Sequence, residues 1–204
     1  MRASEIFVSF QGEGRGQGKR CTFLRLSGCN LACRWCDTPE TQDPATGEER
    51  TAEAIFDEIQ KTGVRRICIT GGEPLLQADE LLPLLQRLAE EGYAVEIETN
   101  GTVPFALAHP YATICMDLKC PSSGEESDLT LIPLIRPVDT VKFVVADQQD
   151  LAYVERVLRE YPIAGEVIIS PVYGADYHTI AETLIGWDHD IRLQLQLHKQ
   201  IGMR

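Results

Sequence analysis

The stretch CTFLRLSGCNLACRWCD, residues 21–37, joins a strand to a metal-ligand pattern. In CTFLRLS (21–27), Thr22, Leu24 and Leu26 alternate with Phe23, Arg25 and Ser27, which is the period of a β-strand. Arg25 therefore points to the same side of the sheet as Phe23 and Ser27. After only Gly28 come Cys29, Cys33 and Cys36, spaced CxxxCxxC and too close for a strand to pass between them. An even pair would suit a disulfide, and four thiols would suit a closed zinc tetrahedron. Three thiolates on a short loop suit a cubane 4Fe-4S cluster with one iron left open to an outside ligand. A structural zinc site would have to recruit its fourth ligand from far along the chain, because no second CxxC or HxxxH lies nearby.

Outward from this stretch the chain keeps a strand–helix rhythm. Strands are predicted at 21–27, 65–70, 93–99, 113–119, 140–146, 166–172 and 191–197. Helices are predicted at 52–63, closed by Gly63, and at 79–92, 150–161 and 179–187. Strands alternating with helices imply right-handed crossovers and a parallel sheet, so the fold class is α/β. Eight βα units usually need about 250 residues, and this chain has 204. An incomplete TIM-type barrel of about six parallel strands with outer helices is expected, and a doubly wound sheet is the alternative. One domain over 1–204 is enough for this length. The polar stretches TPETQDPATGEER (38–50) and CPSSGEESD (120–128) are expected to be loops bordering the site.

Composition narrows the function. With 44% hydrophobic and 25% charged residues the chain has the balance of a globular protein with a real core. A net charge of -12 works against a phosphate-binding surface, which excludes a large nucleic-acid partner. No apolar run reaches membrane-spanning or signal-peptide length. Seven cysteines, an odd count with uneven spacing, suit a reducing compartment, and a cytoplasmic location is expected. Cys21, Cys68, Cys115 and Cys120 read as buried structural cysteines.

CNLACRWC resembles the cluster loop of the radical S-adenosylmethionine superfamily, in which an aromatic residue stands just before the third cysteine, as Trp35 does here. ITGGEP (69–74) resembles that superfamily's GGEP motif, and its two glycines let backbone approach a ligand closely. EIETNG (96–101) resembles the segment that meets the cofactor's ribose. The resemblance implies a 4Fe-4S cluster held by Cys29, Cys33 and Cys36, whose open iron binds S-adenosylmethionine and whose electron starts radical chemistry on a substrate C–H bond. Cofactor contacts fall on Trp35, Cys36, Asp37, Gly71, Gly72, Glu73 and Glu98. Asp117 and Lys119 in MDLKCP (116–121), at a strand end where barrel active sites lie, are added to them.

The flanks EIFVSFQGEGRGQG (5–18), RLSGCNLACRWCDT (25–38) and RLQLQLHK (192–199) resemble the 7-carboxy-7-deazaguanine synthase family, over nearly the whole chain. That family contracts a ring of 6-carboxy-5,6,7,8-tetrahydropterin with loss of ammonia, uses magnesium, and serves queuosine and deazapurine biosynthesis. It implies substrate contacts at Phe10, Gln11, Gly12, Glu13, Arg25, Thr70, His198 and the C-terminal carboxylate of Arg204. Magnesium would sit on Thr38, with Asp37 the alternative ligand, and would bind together with substrate, since one hydroxyl holds it weakly. A pterin edge needs an amide and a carboxylate, which Gln11 and Glu13 supply, and Arg25 has the forked donors for the substrate's own carboxylate. In the C-terminal strand Arg192, Gln194, Gln196 and His198 share a polar face, either solvated or lining the mouth of the site, the second being what the resemblance implies, and Leu193, Leu195 and Leu197 share a buried one. A flavodoxin or ferredoxin is the expected electron donor, and a homodimer the expected assembly. The alternatives are a glycyl-radical-enzyme activating protein, which would share the cysteines and the GGEP, and a non-catalytic module stapled by zinc or a cluster.

Overall fold

The structure is a computed structural model that describes residues 1–203. One nine-stranded sheet runs through it, in the order β3-β1-β2-β4-β5-β6-β7-β8-β9. Its strands are β1 Arg2–Phe10, β2 Arg20–Leu26, β3 Glu48–Glu49, β4 Arg66–Gly71, β5 Ala94–Thr99, β6 Thr113–Leu118, β7 Thr140–Val145, β8 Glu166–Pro171 and β9 Arg192–Leu193. From β2 through β4 to β9 every neighbouring pair is parallel. β1 is antiparallel to β2 and to β3. The order from β4 to β9 never reverses, so the sheet lacks the switch point that defines a doubly wound fold.

Successive right-handed crossovers advancing in one direction put their helices on one face. The helices are α1 Ala52–Lys61, α2 Ala78–Glu90, α3 Gln148–Glu160, α4 Tyr177–Ile185 and the short α5 Leu197–Ile201. The starts of α1, α3 and α4 are capped by side chains: Thr51 accepts from the Ala54 N–H at 3.2 Å, Asp147 from Gln149 and Asp150 at 2.9 and 3.0 Å, and Asp176 from Thr179 at 3.1 Å. In α2 the buried Leu81, Leu84, Leu85 and Leu88 follow helical spacing. They join Leu24 and Leu26 of β2, Ile67 and Ile69 of β4, Ile97 of β5 and Phe143 of β7 in one apolar core between sheet and helices.

The alternate strand positions face the other way and are mostly polar: Arg25, Thr70, Glu96, Glu98, Asp117 and Lys142 all stand on that inner face. Most of the predicted strands and helices are present within a few residues. Two terminal readings need correction. The glycine-rich opening segment is not among the predicted strands, but residues 2–10 form β1, whose pairing with β2 brings the following loop over the inner face. The strand predicted at 191–197 shrinks to Arg192–Leu193, and residues 197–201 are helical. Its leucine face is not the buried one: Leu193 and Leu195 are exposed, whereas Gln194 and Gln196 are buried. The reason is a contact between the two ends of the chain. Gln194 exchanges two hydrogen bonds with the backbone of Gly14, at 2.8 and 2.9 Å, and the Leu197 N–H donates to the Gly12 carbonyl at 3.0 Å. The Gln194 backbone N–H keeps a ladder bond to Ile169 of β8 at 2.9 Å, and the pairing goes no further. Arg192 leaves the polar row altogether and pairs with Glu166 on the exposed side.

Phe143 is fully buried at the centre of the core. Phe143→Ala should cost about 3–5 kcal/mol, read as a lower denaturant midpoint at unchanged secondary structure.

Candidate active site

β2 ends at Leu26, and the chain turns through Gly28 into the three-cysteine loop. Both polar loops expected beside the site hold this loop in place. From 38–50, Thr41 and Gln42 carbonyls accept from Gly28 and Cys29 at 2.8 and 3.0 Å. From 120–128, the Ser123 carbonyl accepts from the Arg34 N–H at 2.9 Å, Ser122 Oγ from Trp35 Nε1 at 3.1 Å, and Glu125 from the Ala32 N–H at 2.8 Å. Cys29, Cys33 and Cys36 are free and half-buried, and all three face one cavity of about 690 Å³. Burial pushes the Cys29 and Cys33 thiols up in pKa, so a metal's own charge has to supply the thiolate form. The Leu31 N–H and the Asn100 side-chain amide donate to Cys29 Sγ at 3.5 and 3.8 Å, bonds that suit a metal-bound sulfur. The loop fits a cluster held by three thiolates.

The turn after β4 is built against that loop. Gly71 has φ +129, and a Cβ added to it would lie 2.0 Å from the Leu26 carbonyl oxygen; a Cβ on Gly72 would lie 2.1 Å from that of Gly28. Gly72 and Glu73 N–H groups donate to the Leu26 and Gly28 carbonyls at 2.9 and 2.8 Å. The glycines thus let backbone meet backbone, while still lining the cavity. Glu73 does not face it. Its fully buried carboxylate accepts from Leu75 N–H, Thr99 Oγ1 and Asn100 N–H, the last at 2.6 Å, tying the turn to the end of β5. The carboxylate named among the expected cofactor contacts is thus already engaged in holding the turn to β5.

Glu98, Asp117 and Lys119 do line the cavity, as does Trp35, over whose ring the Lys119 ammonium sits at 5.5 Å. Asp117 Oδ2 pairs with Lys119 at 3.0 Å and Lys142 at 3.5 Å. Burial works to raise the Asp117 carboxyl, and the two lysines outweigh it and hold its pKa below the usual range. Thr70 Oγ1 donates to Glu98 Oε2 at 2.9 Å.

On the substrate side of the reading, Phe10, Gln11, Gly12, Glu13 and Arg25 line the same cavity. Gln11 is more committed than its sequence suggests: its amide nitrogen donates to Glu96 and Glu98 at 3.1 Å and to Cys68 Sγ at 3.4 Å, and its oxygen accepts from Gly12 N–H at 2.9 Å. Arg25 Nε donates to Glu5 at 2.8 Å. Thr38 also faces the cavity, and its hydroxyl accepts from Thr41 Oγ1 at 3.2 Å. Asp37 is latched instead to α5, with Lys199 at 2.7 Å and His198 at 3.3 Å. Burial pushes the Asp37 carboxyl up, and these two partners outweigh it and draw it down to about 2. Both Asp37 oxygens thus already hold a cation of the C-terminal segment. His198 lies over Gly12, where an added Cβ would stand 2.1 Å from its Nδ1. Arg204 lies outside the described residues.

Sequence reasoning missed Glu96 and Lys142. Their signal was a charged residue inside an otherwise apolar strand, as in TVKFVV. Burial, and then Glu98, push the Glu96 carboxyl up to about 7. Burial also pushes Cys21 up to about 12, and Cys21, Cys68, Cys115 and Cys120 are all buried.

Three thiols on the loop after the first parallel strand, a glycine turn docked against that loop, and acidic strand ends around one cavity define a radical S-adenosylmethionine enzyme. The family described as "4Fe-4S single cluster domain" matches residues 14–113. The 7-carboxy-7-deazaguanine synthase of Methanospirillum hungatei is 46% identical over 203 residues, covering 100% of this chain and 86% of that one. The chain belongs to the 7-carboxy-7-deazaguanine synthase family. The crystal structure of QueE from Escherichia coli superposes with a TM-score of 0.80 at 26% identity, covering 97% and 94% of the two chains. Streptococcus suis SuiB, solved bound to S-adenosylmethionine, shares the fold with a TM-score of 0.57 at 16% identity, over 85% of this chain and 48% of that one. No helix among the described residues is long and apolar enough to cross a membrane.

Two outcomes follow from this geometry. Gly72→Ala should displace the cysteine loop and lose most of the iron after anaerobic reconstitution, whereas Gly186→Ala, whose Cβ meets nothing closer than 3.4 Å, should keep it. Glu96 holds its proton more tightly folded than unfolded, so its contribution to stability is full below pH 4.5 and is lost as pH rises towards 7. Glu96→Gln should remove that slope and gain up to about 3 kcal/mol on the wild type across the interval, read from denaturant melts at both ends.

Proposed function

We propose that the chain converts 6-carboxy-5,6,7,8-tetrahydropterin into 7-carboxy-7-deazaguanine with loss of ammonia, a carbon–nitrogen lyase reaction of queuosine and deazapurine biosynthesis. The observation that carries this reading is one cavity whose wall holds the three-cysteine loop together with Glu13 and Arg25. Its volume is in the range that takes a small ligand beside a cofactor.

Cys29, Cys33 and Cys36 would hold a 4Fe-4S cluster, and the backbone at Gly71 and Gly72 with Glu98, Asp117 and Lys119 would hold S-adenosylmethionine. When bound, this pair supplies hydrogen-atom abstraction from a substrate carbon. The remaining work is done by the chain. Trp35, clasped by Ser122 and covered by Lys119, fixes the wall beside the third cysteine. Glu13 uses one oxygen for Gln196 and the other for Lys142, and a carboxylate has about four acceptor sites, so it keeps capacity for the N–H donors of a pterin. Gln11, held by Glu96 and Glu98, orders that edge of the pocket. Arg25 supplies the cation for the substrate carboxylate, with Thr70, Phe10, Gly12 and His198 completing the surround; Arg204, also expected there, lies outside the described residues. Thr38 offers magnesium one hydroxyl, which fits an ion completed by substrate oxygens and water.

The reading carries further parts with it: a single domain over 1–204 whose open sheet curves as a partial barrel, N- and C-terminal segments that close it, a homodimer, a cytoplasmic setting, and a flavodoxin or ferredoxin as electron donor. The sequential strand order and the inward polar face support the first of these. A glycyl-radical-enzyme activating protein is not favoured by the full-length similarity to the synthases.

The test is anaerobic incubation of reconstituted protein with S-adenosylmethionine, reductant, magnesium and the carboxytetrahydropterin, with the deazapurine detected by mass. Arg25→Gln should raise KM for the pterin about 10- to 100-fold at intact iron content, the loss of a charge-assisted bond. Normal iron and cofactor binding with no deazapurine from the wild type would sink the synthase reading.

A further inference from the structure

Lys142 is the buried cation for which the cavity chemistry above gives no ligand. It stands on β7 directly opposite Asp117 in the parallel register, and it is 5% exposed. Its ammonium contacts Glu13 Oε2 closely and lies 3.5 Å from Asp117 Oδ2. Each partner extends the chain of contacts. Glu13 Oε1 accepts from Gln196 Nε2 at 2.7 Å, which ties it to the C-terminal segment. Asp117 Oδ2 also accepts from Lys119 at 3.0 Å, and Lys119 covers Trp35 of the cysteine loop. Two acids and two lysines thus alternate across the inner face with no net charge.

We infer that Lys142 is a positioning residue that couples the substrate end of the cavity to its cofactor end, an inference that rests on the proposed function for the identity of the two ligands. The physics is that of one ammonium shared by two carboxylates. A pterin N–H bonded to Glu13 weakens that acid's hold on Lys142, so the ammonium is drawn towards Asp117. Asp117 lines the cavity, and its buried Oδ1 has no hydrogen-bond partner among the described residues. With Oδ2 held more firmly, Oδ1 is fixed in direction as the acceptor that a cofactor donor meets. The effect is reciprocal, because a coupling free energy belongs to both ligands equally. Burial opposes the charge on Lys142, and Glu13 and Asp117 overcome it, raising its pKa well above the usual value, so the bridge keeps its charge.

The experiment is equilibrium dialysis of S-adenosylmethionine against reconstituted, iron-loaded protein without reductant, so that nothing turns over, in the presence and absence of the carboxytetrahydropterin. Iron content and thermal melting are read on every sample. The wild type should bind the cofactor at least about 5-fold tighter with pterin present. In Lys142→Met that ratio should fall close to one, and in Lys142→Gln, which keeps a donor but not the charge, it should fall in the same direction; the glutamine variant decides the matter if the methionine variant does not fold. A ratio at wild-type strength in the folded variant overturns the coupling role and leaves the synthase reading intact, as does pterin binding to the wild type with no coupling at all. Cofactor binding with no pterin binding in the wild type fails the synthase reading itself, and the inference falls with it.

Discussion

A side chain on a β-strand can point to only one of two faces, and in this sheet the two faces have opposite jobs. One is packed with Leu, Ile, Val and Phe against the helices. The other carries Arg25, Thr70, Glu96, Glu98, Asp117 and Lys142 and faces the cavity. A register slip of one residue on any central strand would drive these polar groups into the core and aim the leucines at the ligands. The apolar face therefore does more than stabilise: by fixing register, it fixes where each functional group stands.

Placing ions on a shielded face creates a second requirement, since a buried charge left unpaired is expensive. The sheet meets it by pairing across neighbouring strands. Lys142 answers Glu13 and Asp117, Lys119 answers Asp117, and Gln11 shares one amide between Glu96 and Glu98. Glu96 is the group least well served, with a second carboxylate beside it, and its raised pKa is the result.

The ends of the sheet are closed by loops that satisfy their backbone through side chains. Gln194 binds Gly14, Gln17 Nε2 donates to the Gly12 carbonyl at 2.8 Å, and Asp37 holds His198 and Lys199. These contacts join the first twenty residues, the cysteine loop and the C-terminal segment, which are far apart in the chain. Gly71 at the end of β4 and Gly72 after it do the same for the cysteine loop and the turn before α2, at a distance that no Cβ would permit.

Patterns of short range are legible in the amino-acid order itself. The period-two strands, the helix caps, Cys29, Cys33 and Cys36 with their spacing, and the glycine pair after a buried strand all follow from neighbours a few residues apart. The polar loops at 38–50 and 120–128 can likewise be placed beside the site. The partners of the inner-face charges cannot be read this way, because Glu13 and Lys142 are separated by 129 positions and only the strand order sets them in contact. For the same reason the bonds that Thr99 and Asn100 give Glu73 are invisible in the sequence, and the alternation in RLQLQL reads as a strand with a buried leucine face. Local propensity decides which segments extend or coil; which of their polar groups are already satisfied is decided by residues brought together in three dimensions, and an unsatisfied group is what a ligand can use.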